Sequence, residues 1–312
     1  MTDKKVNEAV ESHADISPLE KAGILIEALP YIKKFHGKTV VVKYGGNAMV
    51  NEELKQAVIS DIVLMQLVGM RPVLVHGGGP DINKMLKRLE IESKFINGLR
   101  YTDSDTINVV EMVLVGKVNS SIVSEINMAG GSAVGLSGKD ANLLIADKKT
   151  TVVKSTHGKE EECDLGYVGE IKEVNIDLVN YLLDEGYIPV ISPVAIGPDG
   201  ESFNINADIA AGKVAAALNA EKLVLLTDVE GLYADYEDKS SLISRLHIDE
   251  VDELVEEGII TGGFLPKIFC CVDALRNGVE RTHILDGRVK HSILLEIFTN
   301  KGIGTMVYKN LD

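Results

Sequence analysis

A chain of 312 residues, 45% hydrophobic and 25% charged, is long enough for two domains or one large α/β domain and has the composition of a soluble, well-cored protein. Its formal net charge of −15 argues against nucleic acid or an anionic membrane as the main partner, yet leaves an anionic small molecule open, because local lysines and amides set the field inside a site. Cys163, Cys270 and Cys271 form neither a disulfide framework nor a C-x-x-C pair, the polar start has no signal-peptide core, and no stretch reaches the ~18 apolar residues of a membrane span. The expected location is the cytoplasm.

Residues 1–16 are polar without periodicity and read as a mobile tail. Ser17-Pro18-Leu19-Glu20 predicts a helix start, with Ser17 as cap, Pro18 in the first turn and Glu20 reaching back. The helix over 17–37 carries Leu25, Leu29, Ile32 and Phe35 at helical spacing, and Pro30 predicts a kink. From Val40 the pattern alternates. Strands are expected at about 39–44, 72–76, 132–136, 188–192, 222–226 and 281–285. Helical periodicity separates them at 52–69, 80–89, 104–129, 175–185, 206–219, 249–257 and 264–277. That order predicts α/β, a three-layer αβα sandwich around a mainly parallel open sheet. Segments 91–102 and 142–174 read as hairpins, and the charged loop 156–162 has no predicted role. A soft division near Pro193–Pro198 separates a lobe over 38–195 from one over 196–312.

Four segments carry chemistry. Lys43-Tyr44-Gly45-Gly46 closes the apolar run Thr39–Val42, placing a lysine and then bare backbone where phosphate oxygens can approach. His76-Gly77-Gly78-Gly79-Pro80 follows a strand and opens a helix, so its amides point at an anion; the competing reading is a tight turn requiring positive φ. His76 itself reads as a structural strand-end residue. In Asn204-Ile205-Asn206-Ala207-Asp208 polar side chains recur every second residue before an alanine-rich helix. N-capping by Asn206 explains one residue of the three, so a binding role is favoured. Lys267 follows Thr261-Gly262-Gly263 near a helix start, where the macrodipole disfavours it and an anion partner explains it better. Two further signals are Arg100 in Asn97-Gly98-Leu99-Arg100, suited to a carboxylate, and the polar loop beginning at Thr227-Asp228 after a buried strand.

Taken in order, KYGGNAM, VHGGGP, NGLR, NINAD, LLTDVEG and TGGFLPK resemble the amino acid kinase family, over about residues 20–308. The resemblance implies ATP-dependent phosphorylation of the side-chain carboxylate of N-acetyl-L-glutamate, giving N-acetyl-L-glutamyl 5-phosphate and ADP, in arginine synthesis. It makes Lys43 and Lys267 the lysines flanking the transferred phosphoryl group and Asp208 the carboxylate organising them. Gly78, Gly79, Arg100 and Asn204 become contacts for the acyl amino acid. Gly45, Gly46, Thr227, Asp228, Gly231, Leu232 and Lys267 become contacts for ATP. Mg2+ enters with ATP, without direct protein ligands. The kinked helix and the C-terminal segments resemble the arginine-inhibited hexameric subgroup, in which that helix interlaces dimers into a trimer of dimers. Tyr31, His283, Glu296 and Gly302 would then surround L-arginine. The alternatives are another family member, such as an acyl-aminoadipate kinase, and a non-catalytic arginine sensor.

Overall fold

The computed structural model describes residues 16–154, 160–299 and 302–310. The expected mobile tail lies outside the described residues apart from Ile16, as does most of the charged loop 156–162. The first helix, α1 (Pro18–Phe35), starts on the predicted capping box: Glu20 N donates to Ser17 Oγ at 3.2 Å and Ser17 N donates to Glu20 Oε2 at 2.8 Å. It continues through Pro30 as one element. Phe35 is buried, but Leu19, Ile24, Leu25, Ile26 and Leu29 are exposed, so most of its apolar face lies off its own chain.

Eight strands form the main sheet: β1 (Thr39–Tyr44), β2 (Arg71–His76), β5 (Ala133–Ser137), β8 (Ile188–Ser192), β11 (Lys222–Thr227), β12 (Arg245–His247), β13 (Arg281–Asp286) and β14 (Thr305–Tyr308). Their order is β12-β14-β13-β11-β1-β2-β8-β5, parallel throughout except where β14 runs antiparallel to β13. The edge strand β12 and its neighbour β14 are short, and neither was expected. A small hairpin, β3 (Phe95–Ile96) with β4 (Leu99–Arg100), occupies the first predicted hairpin segment. The second holds β6 (Leu144–Lys154) and β7 (Glu160–Val174), which close a four-stranded barrel with β9 (Val194–Ile196) and β10 (Ser202–Asn204).

Strand pleating sorts the residues of β1 into two cores. Val41 joins the layer that holds α6 (Asp177–Asp184), α7 (Ala207–Ala217), α8 (Val251–Glu256) and α9 (Leu265–Arg276). Val40, Val42 and Tyr44 join the layer of α2 (Glu52–Leu67), α3 (Gly79–Arg88), the long helix over 104–128 and α10 (Ser292–Phe298). Lys43 shares the face of Val41 and so looks toward α7 and α9.

The long helix runs as α4 (Ser104–Glu111), a π-helical segment (Met112–Asn119) and α5 (Ser120–Met128). By length and composition this segment could cross a membrane, contrary to the expectation that no stretch would qualify. It instead sinks Val110, Leu114, Ile122 and Ile126 into the core, and the demands of a buried helix account for its apolarity.

Candidate active site

At the carboxyl end of β1, where the chain connections leave in opposite directions along the sheet, ligands of open α/β folds bind. Lys43 ends up there from β1. Asp208 arrives from the first turn of α7, and Lys267 from the first turn of α9. Lys43 Nζ lies 3.0 Å from Asp208 Oδ1 and Lys267 Nζ lies 2.6 Å from Asp208 Oδ2. Burial alone would raise the Asp208 carboxyl, but the two ammonium groups win and hold it below the usual carboxylate range. The result is a cationic pair bridged by one carboxylate, with a net charge of about +1. Lys267 at a helix start is explained by this anion partner, as its position predicted.

The distance between α7 and α9 is set by small groups. Cys270 Sγ donates to the Asp208 carbonyl at 3.0 Å, and a Cβ on Gly212 would come within 2.7 Å of that sulfur. Cys270 and Cys271 are both buried, as expected of core-facing residues. The contact with Asp208 had no sequence signal, because it joins residues 62 positions apart.

A cavity of about 190 Å³ adjoins this centre, lined by Gly77, Gly78, Gly79, Arg100, Asn204 and neighbours. The glycine turn is not a positive-φ turn. Gly78 is extended at φ 170, and what excludes a side chain there is Leu114, whose Cδ2 would lie 2.4 Å from a Cβ. The helix it opens, α3, has no side-chain cap, which leaves its amino end to face the cavity. Arg100 is buried rather than a surface residue: its guanidinium donates to Ser93 Oγ at 2.5 Å and Asn83 Oδ1 at 2.7 Å and lies 4.7 Å from the Phe95 ring centroid. Asn83 and Ser93 were missed by the sequence reading; isolated polar residues on a helix and a loop carry no pattern. Asn204 Nδ2 donates to Thr102 Oγ1 at 3.3 Å. Asn206 Oδ1 accepts from Asp208 N at 2.9 Å and Ile209 N at 3.2 Å, so that residue is the N-cap of α7, as capping alone had explained it.

On the other side of β1, Thr227 ends β11 and Asp228 begins the exposed loop. Gly46, at φ +67, lies so close to Asp228 that a Cβ would meet its Oδ1 at 2.5 Å. Gly45 abuts the Lys43 ammonium in the same way, at 2.7 Å. Gly231 packs on Leu242 and Thr305, and Leu232 is buried with its N–H donating to Thr305 Oγ1 at 2.8 Å. Those two therefore shape the loop from within the core. Among the described residues no group of three or more His, Cys, Asp or Glu is arranged to hold a metal. Both Asp208 oxygens are taken by lysines, so that carboxylate is not a ready metal ligand.

A second, larger cavity of about 610 Å³ lies between α1 and the opposite, amino-terminal edge of β11 and β13. Tyr31, Lys34, Lys222, Arg245, Glu296 and Gly302 are among its lining. Behind the lining, His283 is buried with Nδ1 2.9 Å from Glu296 Oε1, and Lys222 Nζ lies 3.5 Å from the same oxygen. Burial, and then the neighbouring Lys222, push the His283 imidazole down against the pull of Glu296. A Cβ on Gly302 would come within 2.5 Å of Glu296 Oε2, so glycine there leaves room for the carboxylate.

Two lysines and an aspartate thus converge at the end of the central strand of a three-layer sandwich. The chain belongs to the amino acid kinase family, whose model matches residues 38–286. Acetylglutamate kinase from Pelotomaculum thermopropionicum is 63% identical over 94% of this chain and 99% of its own length. Acetylglutamate kinase from Heliobacterium modesticaldum is 62% identical over 94% of this chain and 100% of its own. N-acetylglutamate synthase from Neisseria gonorrhoeae, complexed with coenzyme A and N-acetyl-glutamate, superposes with a TM-score of 0.77 at 28% identity, over 93% of this chain and 64% of that one. Carbamate kinase from Giardia lamblia bound to AMP-PNP, at 16% identity and a TM-score of 0.63, shares the fold. The chain is thus an enzyme, a kinase whose acceptor is a carboxyl group.

Proposed function

We propose that the chain transfers the γ-phosphoryl group of ATP to the side-chain carboxylate of N-acetyl-L-glutamate, giving N-acetyl-L-glutamyl 5-phosphate and ADP. The observation that carries this is Asp208 held between Lys43 and Lys267 beside a small cavity lined by Arg100 and the glycine turn. A substrate carboxylate with a pKa near ~4.3 is already ionised at neutral pH, so no general base is needed. Its oxygen forms the new bond to phosphorus as the bond to the ADP oxygen breaks. Catalysis then reduces to alignment and to neutralising charge on the moving phosphoryl group. Lys43 and Lys267 supply that charge, and Asp208 keeps the two cations together. Gly45 and Gly46 let backbone approach the nucleotide phosphates, with Thr227 and Asp228 bordering the nucleotide and Gly231 and Leu232 shaping the loop beneath it. Mg2+ arrives as part of the nucleotide substrate. Gly78 and Gly79 offer the amino end of α3 to the substrate, Arg100 pairs with its α-carboxylate, and Asn204 faces its amide.

The larger cavity supports feedback inhibition by L-arginine. Its lining holds one carboxylate, Glu296, that can pair with a guanidinium, and the cations Lys34, Lys222, Arg245 and Arg281, any of which can take an α-carboxylate. Tyr31 and Gly302 line the same space, with His283 behind Glu296. The exposed apolar face of α1 supports a homo-oligomer, a hexamer built as a trimer of dimers through that helix. An ADP-release assay tests the substrate: N-acetyl-L-glutamate is expected to be turned over well and free glutamate poorly. Equal turnover of the two would overturn the assignment.

A further inference from the structure

Directly beneath the glycine turn lies a buried polar network that phosphoryl transfer does not use. His76, Asn119 and Ser192 are all buried there. His76 Nδ1 is 2.8 Å from the Gly77 carbonyl, which can only accept, so Nδ1 carries the proton. Nε2 must then accept, and Asn119 Nδ2 donates to it at 3.1 Å; the Ser192 hydroxyl lies 3.2 Å from Nε2 and 3.4 Å from the Leu114 carbonyl, with one proton for the two. The orientation of Asn119 is fixed in turn, since Nδ2 also donates to the Val190 carbonyl at 2.8 Å. Its Oδ1 rests on Gly135, where a Cβ would lie 2.0 Å away. The Gly77 N–H donates to the Tyr44 carbonyl at 2.8 Å. Both polar backbone groups of Gly77 are therefore tied down, one by β1 and the other by His76.

The π-helical segment contributes a second, independent observation. In an α-helix, residues five apart point about 140° away from each other. Winding with i→i+5 hydrogen bonds brings them onto one side. Here Leu114 and Asn119 are five apart within Met112–Asn119, and both meet the glycine turn: Leu114 presses on Gly78 and Asn119 on His76. The unusual winding thus delivers the two contacts that shape the turn from outside and from below.

We infer that His76 is a positioning residue for the acyl amino acid: by holding the Gly77 carbonyl down through its Nδ1–H, it turns the amides that follow, at the start of α3, toward the substrate cavity. This rests on the reading that the 190 Å³ cavity receives the acyl amino acid. Burial drives the imidazole down to about 4, so the ring stays neutral and the tautomer is settled by its three polar neighbours.

Two amide variants separate this role from simple packing. The Nδ2 of Asn falls where Nδ1 of His76 stands and can still donate to Gly77. The amide of Gln falls where Nε2 stands and cannot. His76→Asn is expected to keep the KM for N-acetyl-L-glutamate within about threefold of the parent, while His76→Gln raises it about tenfold or more, with the KM for ATP unchanged in both. Equal KM values for the acyl amino acid in the two variants would overturn the role and leave the cavity's assignment standing. A rise confined to the KM for ATP in His76→Gln would overturn the assignment itself. If neither variant folds, nitrogen NMR of the parent protein decides: His76 is expected to carry its proton on Nδ1 with and without N-acetyl-L-glutamate, and a proton on Nε2 instead would overturn the inference.

Discussion

Replacing Asp208 with Asn keeps the shape of the side chain and removes the one negative charge between two ammonium groups. The side chains of Lys43, Asp208 and Lys267 are only 12%, 12% and 19% exposed, so solvent screens them weakly. Without the carboxylate, two cations roughly 5 Å apart repel by ~3 kcal/mol at an effective dielectric constant of about 20. Breaking a buried ion pair by removing one partner typically costs about 3–5 kcal/mol, and the partial exposure here favours the lower end. Asp208→Asn is therefore expected to lose about 3 kcal/mol of stability in urea unfolding. Its kcat should fall by about two to three orders of magnitude as the lysines separate, with a smaller change in KM. Millimolar inorganic phosphate should restore part of the stability, because an anion takes the place of the lost charge. A variant with the parent's unfolding midpoint and a kcat within threefold of it would refute the view that Asp208 holds the cations together.

Lys43→Ala and Lys267→Ala should each lose about 3–4 kcal/mol of transition-state stabilisation, seen in kcat more than in KM; a near-normal kcat in a folded variant would remove that lysine from catalysis. Gly212→Ala places a methyl 2.7 Å from Cys270 Sγ and should push α7 from α9, lowering kcat and costing about 1–3 kcal/mol of stability, whereas Cys270→Ala should do less. Because burial drives His76 down to about 4 in the folded chain against 6.5 when unfolded, the unfolded chain binds more protons between those values. Stability should thus rise with pH across that window, by on the order of 3 kcal/mol, and His76→Asn should flatten that part of the curve. Deleting residues 1–29, which leaves buried Phe35 in place, should yield a dimer by sedimentation that keeps activity and loses most arginine inhibition; a fully inhibited hexamer would make α1 an ordinary packing element. Glu296→Ala should weaken inhibition without changing assembly.

The chain's sequence determined a great deal by local means. Continuous apolar runs such as Val40–Val42 and Leu223–Leu226 demanded buried parallel strands, and the alternation with amphipathic helices demanded a covered sheet. The capping box at Ser17, the glycines after β1 and β2, and the misplaced cation Lys267 could each be read within a few residues, because each answers a local backbone or dipole requirement. The short strands β12 and β14 left no such trace, since three or four residues carry too little periodicity and their pairing is fixed by partners far along the chain. Asn206 could be read as the cap of α7 from its place before the alanine-rich run, whereas the partner of Asn204, Thr102 Oγ1, lies 102 positions away and left no local trace. Only the tertiary structure could bring Asp208 between lysines 165 and 59 positions away, set Cys270 on its carbonyl, seat Arg100 on Asn83 and Ser93, and wind Leu114 and Asn119 onto one side of the long helix. Those contacts join separate elements, and their geometry comes from how the layers pack across the sheet, which no local pattern encodes.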